Sequence, residues 1–290
     1  RRVPCVLYLH GNASCRLEAL AVMRTVFELG ATLCAIDCAG SGLSDGAYIS
    51  LGAFERLDAR AVAERLRANR RCHPRRVALW GRSVGAVTSL LAASRDDPLL
   101  AAVVADSPFS SLKTLCRELV DKATKGFGSL VREQAIYMVT QSVRYRAGFD
   151  IAECDPLASM GACAVPTLLV HGNGDDFIPP SHSRQLAAAK EGVELLLPAG
   201  KHNTVRPVAT MVAAAQFLRR HLFPSDDAAT AAAQDEALRA GLERLGRESR
   251  LMAPPWAVQK QRIAVARDDE FVSGMSEKRQ GELEAGIARA

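Results

Sequence analysis

Along the first 222 residues, short uninterrupted apolar runs alternate with longer stretches whose apolar residues recur at helical spacing. VPCVLYLHGN (3–12) is such a run. It ends in His-Gly, as a strand buried on both faces does. A helix is expected over 16–29, then ATLCAIDCAGSG (31–42) as a strand entering a Gly-rich turn, then a helix around 52–70. RRVALWG (75–81) reads as a strand, VGAVTSLLAAS (84–94) as a helix, and LLAAVVADSPF (99–109) as a strand entering a loop. Residues 110–160 break the rhythm with longer helical segments. It resumes with VPTLLVHG (165–172), SHSRQLAAAK (181–190), VELLLPAG (193–200) and PVATMVAAAQFLRRHL (207–222).

Strands and helices alternating at this spacing predict an α/β fold: βαβ units forming a mostly parallel sheet, helices on both faces. In such sheets ligand chemistry gathers just past the strand ends. Here those ends carry His10-Gly11-Asn12, Asp37, Gly81-Arg82-Ser83, Asp106 and His171-Gly172. Past Pro224 the alternation stops. Residues 225–290 hold charged helical stretches, a Pro254-Pro255 break and no strand able to join the sheet. This gives a domain over 1–224 and a charged, partly helical C-terminal appendage over 225–290, with DEALRAGLERL (235–245) reading as an amphipathic helix.

Composition narrows the function classes. Of 290 residues, 48% are hydrophobic, enough for a sizeable core. The net charge of +5 is a mild excess, and aromatics are only 5%. A nucleic-acid footprint of clustered basic residues with interleaved aromatics is therefore not expected. The eight cysteines form no CxxC pair and read as thiols in a reducing, cytoplasmic setting, with neither metal nor cofactor expected. No apolar run reaches the roughly 18 residues needed to span a bilayer. The chain begins Arg1-Arg2-Val3, so a targeting signal in front of it stays open.

Gly-x-Ser-x-Gly occurs twice, as WGRSVGA around Ser83 and as GLSDG around Ser44. A nucleophile elbow needs an apolar strand running straight into the serine, a helix starting straight after it, and small flanking residues. Ser83 meets all three conditions. Ser44 lies several residues past its strand, and Asp45-Gly46 after it is turn chemistry, so GLSDG reads as a loop.

A serine is a weak nucleophile without a base, and the base needs an orienting acid. Asp175, in the loop HGNGDDFIPP, and His202, in the loop GKHN, lie past later strand ends in the order Ser-Asp-His that this architecture uses. Asp176 competes with Asp175 for the role of acid. A tetrahedral intermediate also needs two donors at its oxyanion. The backbone N–H groups of Val84 and Asn12 are the candidates. Singly, a His after a strand is usually a loop residue and a DD pair a turn; it is the ordered set that points to a triad.

Taken together, LHGN (9–12), IDCAGSGLSDG (36–46), WGRSVGA (80–86), DSPF (106–109), HGNGDDFIPP (171–180) and GKHN (200–203) resemble the α/β-hydrolase superfamily over roughly residues 3–222. They resemble most the branch of Bem46-type proteins, serine-aminopeptidase-like hydrolases and protein depalmitoylases. The resemblance implies an ester or thioester hydrolase, with two further strands preceding VPCVLYLHGN. It also implies a cap over the site, inserted after the strand ending at Asp106, at about 110–160. That cap carries Lys113, Arg117, Lys122, Lys125, Arg132, Arg144 and Arg146 against Glu118, Asp121, Glu133 and Asp150. Its basic excess suits an anionic substrate or a lipid headgroup surface, though solvated helix faces account for it equally. The expected substrate is a small molecule or an acyl chain. Amide or peptide cleavage by the same triad, and a non-catalytic interaction protein of this fold, are the alternatives.

Overall fold

The computed structural model of the chain describes residues 2–70, 72–93, 100–124 and 128–247. In chain order these form β1 (Val3–Leu9), a 3-10 turn (Arg16–Ala19), α1 (Leu20–Glu28), β2 (Thr32–Ala35), α2 (Glu55–Ala68), β3 (Cys72–Arg82), α3 (Val84–Ala92) and β4 (Leu100–Asp106). Then come α4 (Leu112–Ala123), α5 (Ser129–Ala147), a 3-10 turn (Ile151–Glu153), α6 (Pro156–Met160), β5 (Thr167–Val170), α7 (Ser181–Ala188), β6 (Glu194–Leu196), α8 (Val208–Leu222) and α9 (Ala228–Arg247). Pro254-Pro255 and Lys125 lie outside the described residues.

The strands pair in parallel in the order β2-β1-β3-β4-β5-β6. The side-chain period of two splits them between two cores. Val6, Tyr8, Ala78, Trp80, Val104 and Leu168 face α1, α8 and α9. Leu7, Leu9, Val77, Leu79, Val103 and Leu169 face α2, α3, α6 and α7. Burial on both faces explains why these strands read as continuous apolar runs. The chain adds β2 on one side of β1 and β3 on the other, so its direction reverses between β1 and β3. That reversal is where open α/β sheets open a crevice. The register pairs Leu9 with Gly81, Arg82 with Asp106, and Asp106 with Val170, which sets four strand ends level along one edge.

β2 ends at Ala35, earlier than the apolar pattern predicts. The Asp37 carboxylate accepts the N–H groups of Arg16 and Leu43 and pairs with the Arg16 guanidinium, drawing the backbone out of the ladder into a turn. Gly42 sits there at φ +54°, where an added Cβ would lie 2.2 Å from the Asp37 carboxylate. The second Gly-x-Ser-x-Gly copy is this turn, and its Ser44 hydroxyl donates to the Asp37 carbonyl at 2.6 Å.

The segment after β4 forms the cap. Phe109, Leu112, Leu115, Phe149, Ile151 and Cys154 pack with Val87 and Leu91 of α3 and with Ile178. His182 ties it to the body. The Ser110 N–H donates to His182 Nδ1 at 3.1 Å, so the proton sits on Nε2, 3.0 Å from Glu118 of α4. Three cap arginines are matched within the cap: Arg117 by Glu133, Arg132 by Asp121, and Arg144 by Asp150. Beyond Pro224, α9 buries Leu238, Leu242 and Leu245 in the same core as α1 and α8, and Arg219 of α8 pairs with Asp235. Among the described residues no helix is long and apolar enough to cross a membrane, and no cysteine with a described side chain is bridged. Burial pushes the Cys38 and Cys154 thiols up to about 12, which leaves them protonated and inert at neutral pH.

Candidate active site

Ser83 occupies the turn between β3 and α3 with φ 52° and ψ −115°, a conformation that costs a non-glycine residue energy. Its neighbours hold it there. The Ser83 N–H donates to the Asp106 carbonyl at 2.7 Å, and its carbonyl accepts from Val87 as α3 begins. The flanking glycines are needed for close approach. A Cβ on Gly81 would meet the Gly85 carbonyl oxygen at 2.0 Å, and one on Gly85 would meet that of Leu9 at 2.0 Å. The sequence pattern is therefore the packing condition for a strand, a sharp turn and a helix crowded against β1.

His202 Nε2 lies 3.1 Å from Ser83 Oγ, and His202 Nδ1 lies 2.7 Å from Asp175 Oδ2. The carboxylate fixes the tautomer: Nδ1 carries the proton, and Nε2 accepts from the serine hydroxyl. The other oxygen, Asp175 Oδ1, accepts the N–H groups of Phe177 and Ile178 at 3.0 and 2.9 Å. Burial pushes the Asp175 carboxyl up. Hydrogen bonds from His171 and His202, the electrostatic attraction of the His202 ring and the Ile178 N–H outweigh it and hold the group well below the usual carboxylate range. Ser83, Asp175 and His202 are all buried, and the Phe177 ring meets the imidazole of His202 edge-on at 5.2 Å between centroids. Asp176 is turned outward and pairs with Lys201 at 2.8 Å. Of the two neighbouring aspartates, the structure brings Asp175 to the histidine.

Gly11 is beside the serine, since a Cβ there would sit 3.7 Å from Ser83 Cβ. Its own N–H faces the Glu18 carboxylate, 3.3 Å from each oxygen. The N–H of Asn12, next along, and that of Val84 are the two candidate oxyanion donors. Val84 opens α3, so its N–H has no carbonyl partner within the helix. The Asn12 side chain is engaged locally, accepting from the Ala13 N–H. The other polar strand ends tie loops together. His10 Nε2 accepts from the Cys38 N–H, and fully buried His171 faces Asp175 Oδ2 at 3.3 Å while bonding Ser183 and the Ile178 carbonyl. No group of three or more His, Cys, Asp or Glu among the described residues is arranged to hold a metal.

Glu18 and Arg206 carry no sequence signal, and Arg82 stands out only as one of the strand-end residues. Glu18 is buried, accepts from the Tyr8 hydroxyl at 2.9 Å, and lies 3.7 Å from the Arg82 guanidinium. Arg82 occupies a motif position that tolerates any residue, and Arg206 sits in an unremarkable loop. Only the tertiary arrangement links them.

The comparisons with known proteins agree with this architecture. The chain is 28% identical over 192 residues to the uncharacterized protein YqkD of Bacillus subtilis, covering 66% of this chain and 61% of that protein. It is 28% identical over 203 residues to the uncharacterized protein YfhR of Escherichia coli K12, covering 69% and 63%. It thus spans less than two thirds of the length of these curated relatives. Among solved structures, the Pyrococcus furiosus esterase Pf2001 superposes with a TM-score of 0.59 at 23% identity, covering 76% of this chain and 84% of that one. A puromycin-hydrolyzing peptidase of Mycobacterium tuberculosis does so with a TM-score of 0.59 at 23% identity, covering 77% and 35%. At such identity the likeness is one of fold, the α/β-hydrolase fold. The sequence pattern of the prolyl oligopeptidase family (Peptidase_S9) matches residues 20–208, more than half of the chain. The chain belongs to the prolyl oligopeptidase family, within the α/β-hydrolase superfamily.

Proposed function

We propose that the chain is a serine hydrolase that cleaves a carboxylic ester or thioester through a Ser83 acyl-enzyme. The observation that carries this reading is the continuous contact from Ser83 Oγ through His202 to Asp175, at 3.1 and 2.7 Å, on a strained strand-to-helix turn. Ser83 Oγ attacks the carbonyl carbon as its proton passes to His202 Nε2. Asp175 holds the resulting imidazolium, and the N–H groups of Asn12 and Val84 receive the oxyanion. When the carbon–oxygen or carbon–sulfur bond breaks, the Nε2 proton goes to the leaving alkoxide or thiolate. Water, giving its proton to the same nitrogen, then releases the carboxylate and free Ser83.

The stretches resembling Bem46-type hydrolases and depalmitoylases favour an acyl ester or thioester, as do structural neighbours that are esterases, among them an acetyl xylan esterase from Paenibacillus. A second reading, amide or peptide cleavage by the same groups, is favoured by the family itself and by the likeness to the puromycin-hydrolyzing peptidase. The two differ in leaving group. An amine must be protonated by His202 before it departs, whereas a thiolate or phenolate leaves readily. Parallel assays on p-nitrophenyl esters, acyl thioesters and aminoacyl p-nitroanilides test the choice. The proposal expects kcat/KM on the first two to exceed that on the anilides by at least a hundredfold; an anilide preference would replace it with the peptidase reading.

A further inference from the structure

The loop carrying His202 is gripped from both sides by arginines. From the elbow, Arg82 donates through Nη2 to the His202 carbonyl at 3.3 Å and to Asn203 Oδ1. From the loop's far end, Arg206 donates through Nη1 to the carbonyls of Lys201 and Thr204 at 3.1 and 3.4 Å. Its Nε and Nη2 meet the Asp106 carboxylate at 2.9 and 2.7 Å, and Nη2 also reaches Ser107 Oγ at 2.8 Å. Each guanidinium has its own buried carboxylate, Glu18 for Arg82 and Asp106 for Arg206. Planar multi-donor geometry lets arginine bind a carboxylate and backbone carbonyls at once, which a lysine ammonium cannot copy.

The two carboxylates are themselves built into the site. Glu18 also faces the N–H of Gly11, immediately before Asn12, and Asp106 supplies the carbonyl that receives the Ser83 N–H. Nucleophile turn, oxyanion loop and base loop thus share one frame. We propose that Arg82 and Arg206 are positioning residues that hold His202 Nε2 within reach of Ser83 Oγ. The inference rests on the serine-hydrolase reading above. Neither arginine touches the reacting atoms, so their effect is on geometry. Misplacing a catalytic group by about 1 Å costs on the order of 10²-fold in rate.

Arg82 is the residue to vary: it lies 3.7 Å from Glu18, which keeps the Tyr8 hydroxyl as a donor when Arg82 is lost, whereas Arg206 is bound tightly to Asp106 at 2.7 Å. Wild type, Arg82→Met and Arg82→Lys are titrated with a fluorophosphonate to count competent sites. Turnover of a p-nitrophenyl ester is then expressed per titrated site, and melting temperatures are recorded alongside. The expected result for Arg82→Met is kcat lower by roughly 10- to 100-fold per site with KM within about threefold, and partial recovery in Arg82→Lys. Should Arg82→Met fail to fold, Arg82→Lys is expected to show a smaller fall in the same parameter. Wild type that labels normally beside variants whose kcat per site stays within twofold overturns the positioning role alone. Wild type that does not label overturns the serine-hydrolase reading.

Discussion

His202 Nδ1 and Asp175 Oδ2 lie 2.7 Å apart, while Asp176, one residue on, points away into a surface pair with Lys201. One position decides which carboxylate sets the imidazole. In the serine-protease template, exchanging the orienting Asp for Asn drops kcat about 10⁴-fold by favouring the wrong tautomer. Asp175→Asn is expected to lower ester turnover by roughly three to four orders of magnitude, and Asp176→Asn by less than threefold. Steady-state kinetics of the two variants check this; the reverse pattern would assign the acid to Asp176.

The same carboxylate makes stability depend on acid. Asp175 titrates below its unfolded value, so its contribution is complete above the ordinary carboxylate pKa of about 3.9 and fades as pH falls from there through the depressed native value. Asp150, Asp176 and Asp227 are also held low, but Asp176 and Asp227 are solvent-exposed and Asp150 is only half-buried, so their pairs are screened and contribute little. Melting temperature is expected to fall below about pH 4 in wild type and to fall less steeply in Asp175→Asn, which starts lower at neutral pH. Parallel curves for the two proteins would show that the acid sensitivity lies elsewhere.

Gly81 and Gly161 offer a matched pair for the packing account of the elbow. At Gly81 a Cβ meets backbone at 2.0 Å, whereas at Gly161, φ −62°, it meets nothing within 4 Å. Gly81→Ala is expected to cost roughly 3 kcal/mol or more, because no rotamer relieves a clash with a carbonyl. Gly161→Ala should be neutral, or stabilising by up to about 1 kcal/mol. Denaturant midpoints of the two variants measure the contrast, and equal midpoints would refute it.

We propose that the cap contacts an anionic lipid surface. Internal pairs absorb Arg117, Arg132 and Arg144, and Lys122 donates to the Asp176 carbonyl at 3.1 Å. Any attraction is therefore expected to be modest and screened by salt, over ~10 Å at 0.1 M. Flotation with vesicles containing phosphatidylserine should recover the protein at low salt and lose it at 0.5 M, while neutral vesicles recover none. Equal recovery from both vesicle types would remove the proposal.

The alternation of buried strands and helices was legible because parallel strands covered on both faces leave uninterrupted apolar runs. The elbow was legible for a related reason: α3 crowds β3 at Gly81 and β1 at Gly85, so only glycine fits at either position. The Gly-rich turn after β2 was legible too, but not that the strand stops at Ala35, because that depends on the Asp37 carboxylate capturing the N–H of Arg16, distant in sequence. The same holds for the supports of the site. Glu18, Arg82, Asp106, His171 and Arg206 act through partners up to 120 residues away in the chain, and no local spacing records such pairs. The amphipathic pattern over 235–245 showed a helix with an apolar face, but not that this face would share a core with α1 and α8, since no local spacing names the partner.

The central claim is that Ser83 is the nucleophile, and covalent labelling tests it most directly. The protein is treated with a fluorophosphonate, digested, and the modified residue located by mass spectrometry in wild type, Ser83→Ala, Ser44→Ala and His202→Ala. The account predicts a single adduct on Ser83, absent from Ser83→Ala, unchanged in Ser44→Ala and formed far more slowly in His202→Ala. An adduct on Ser44, or labelling of Ser83 at the same rate without His202, would contradict it.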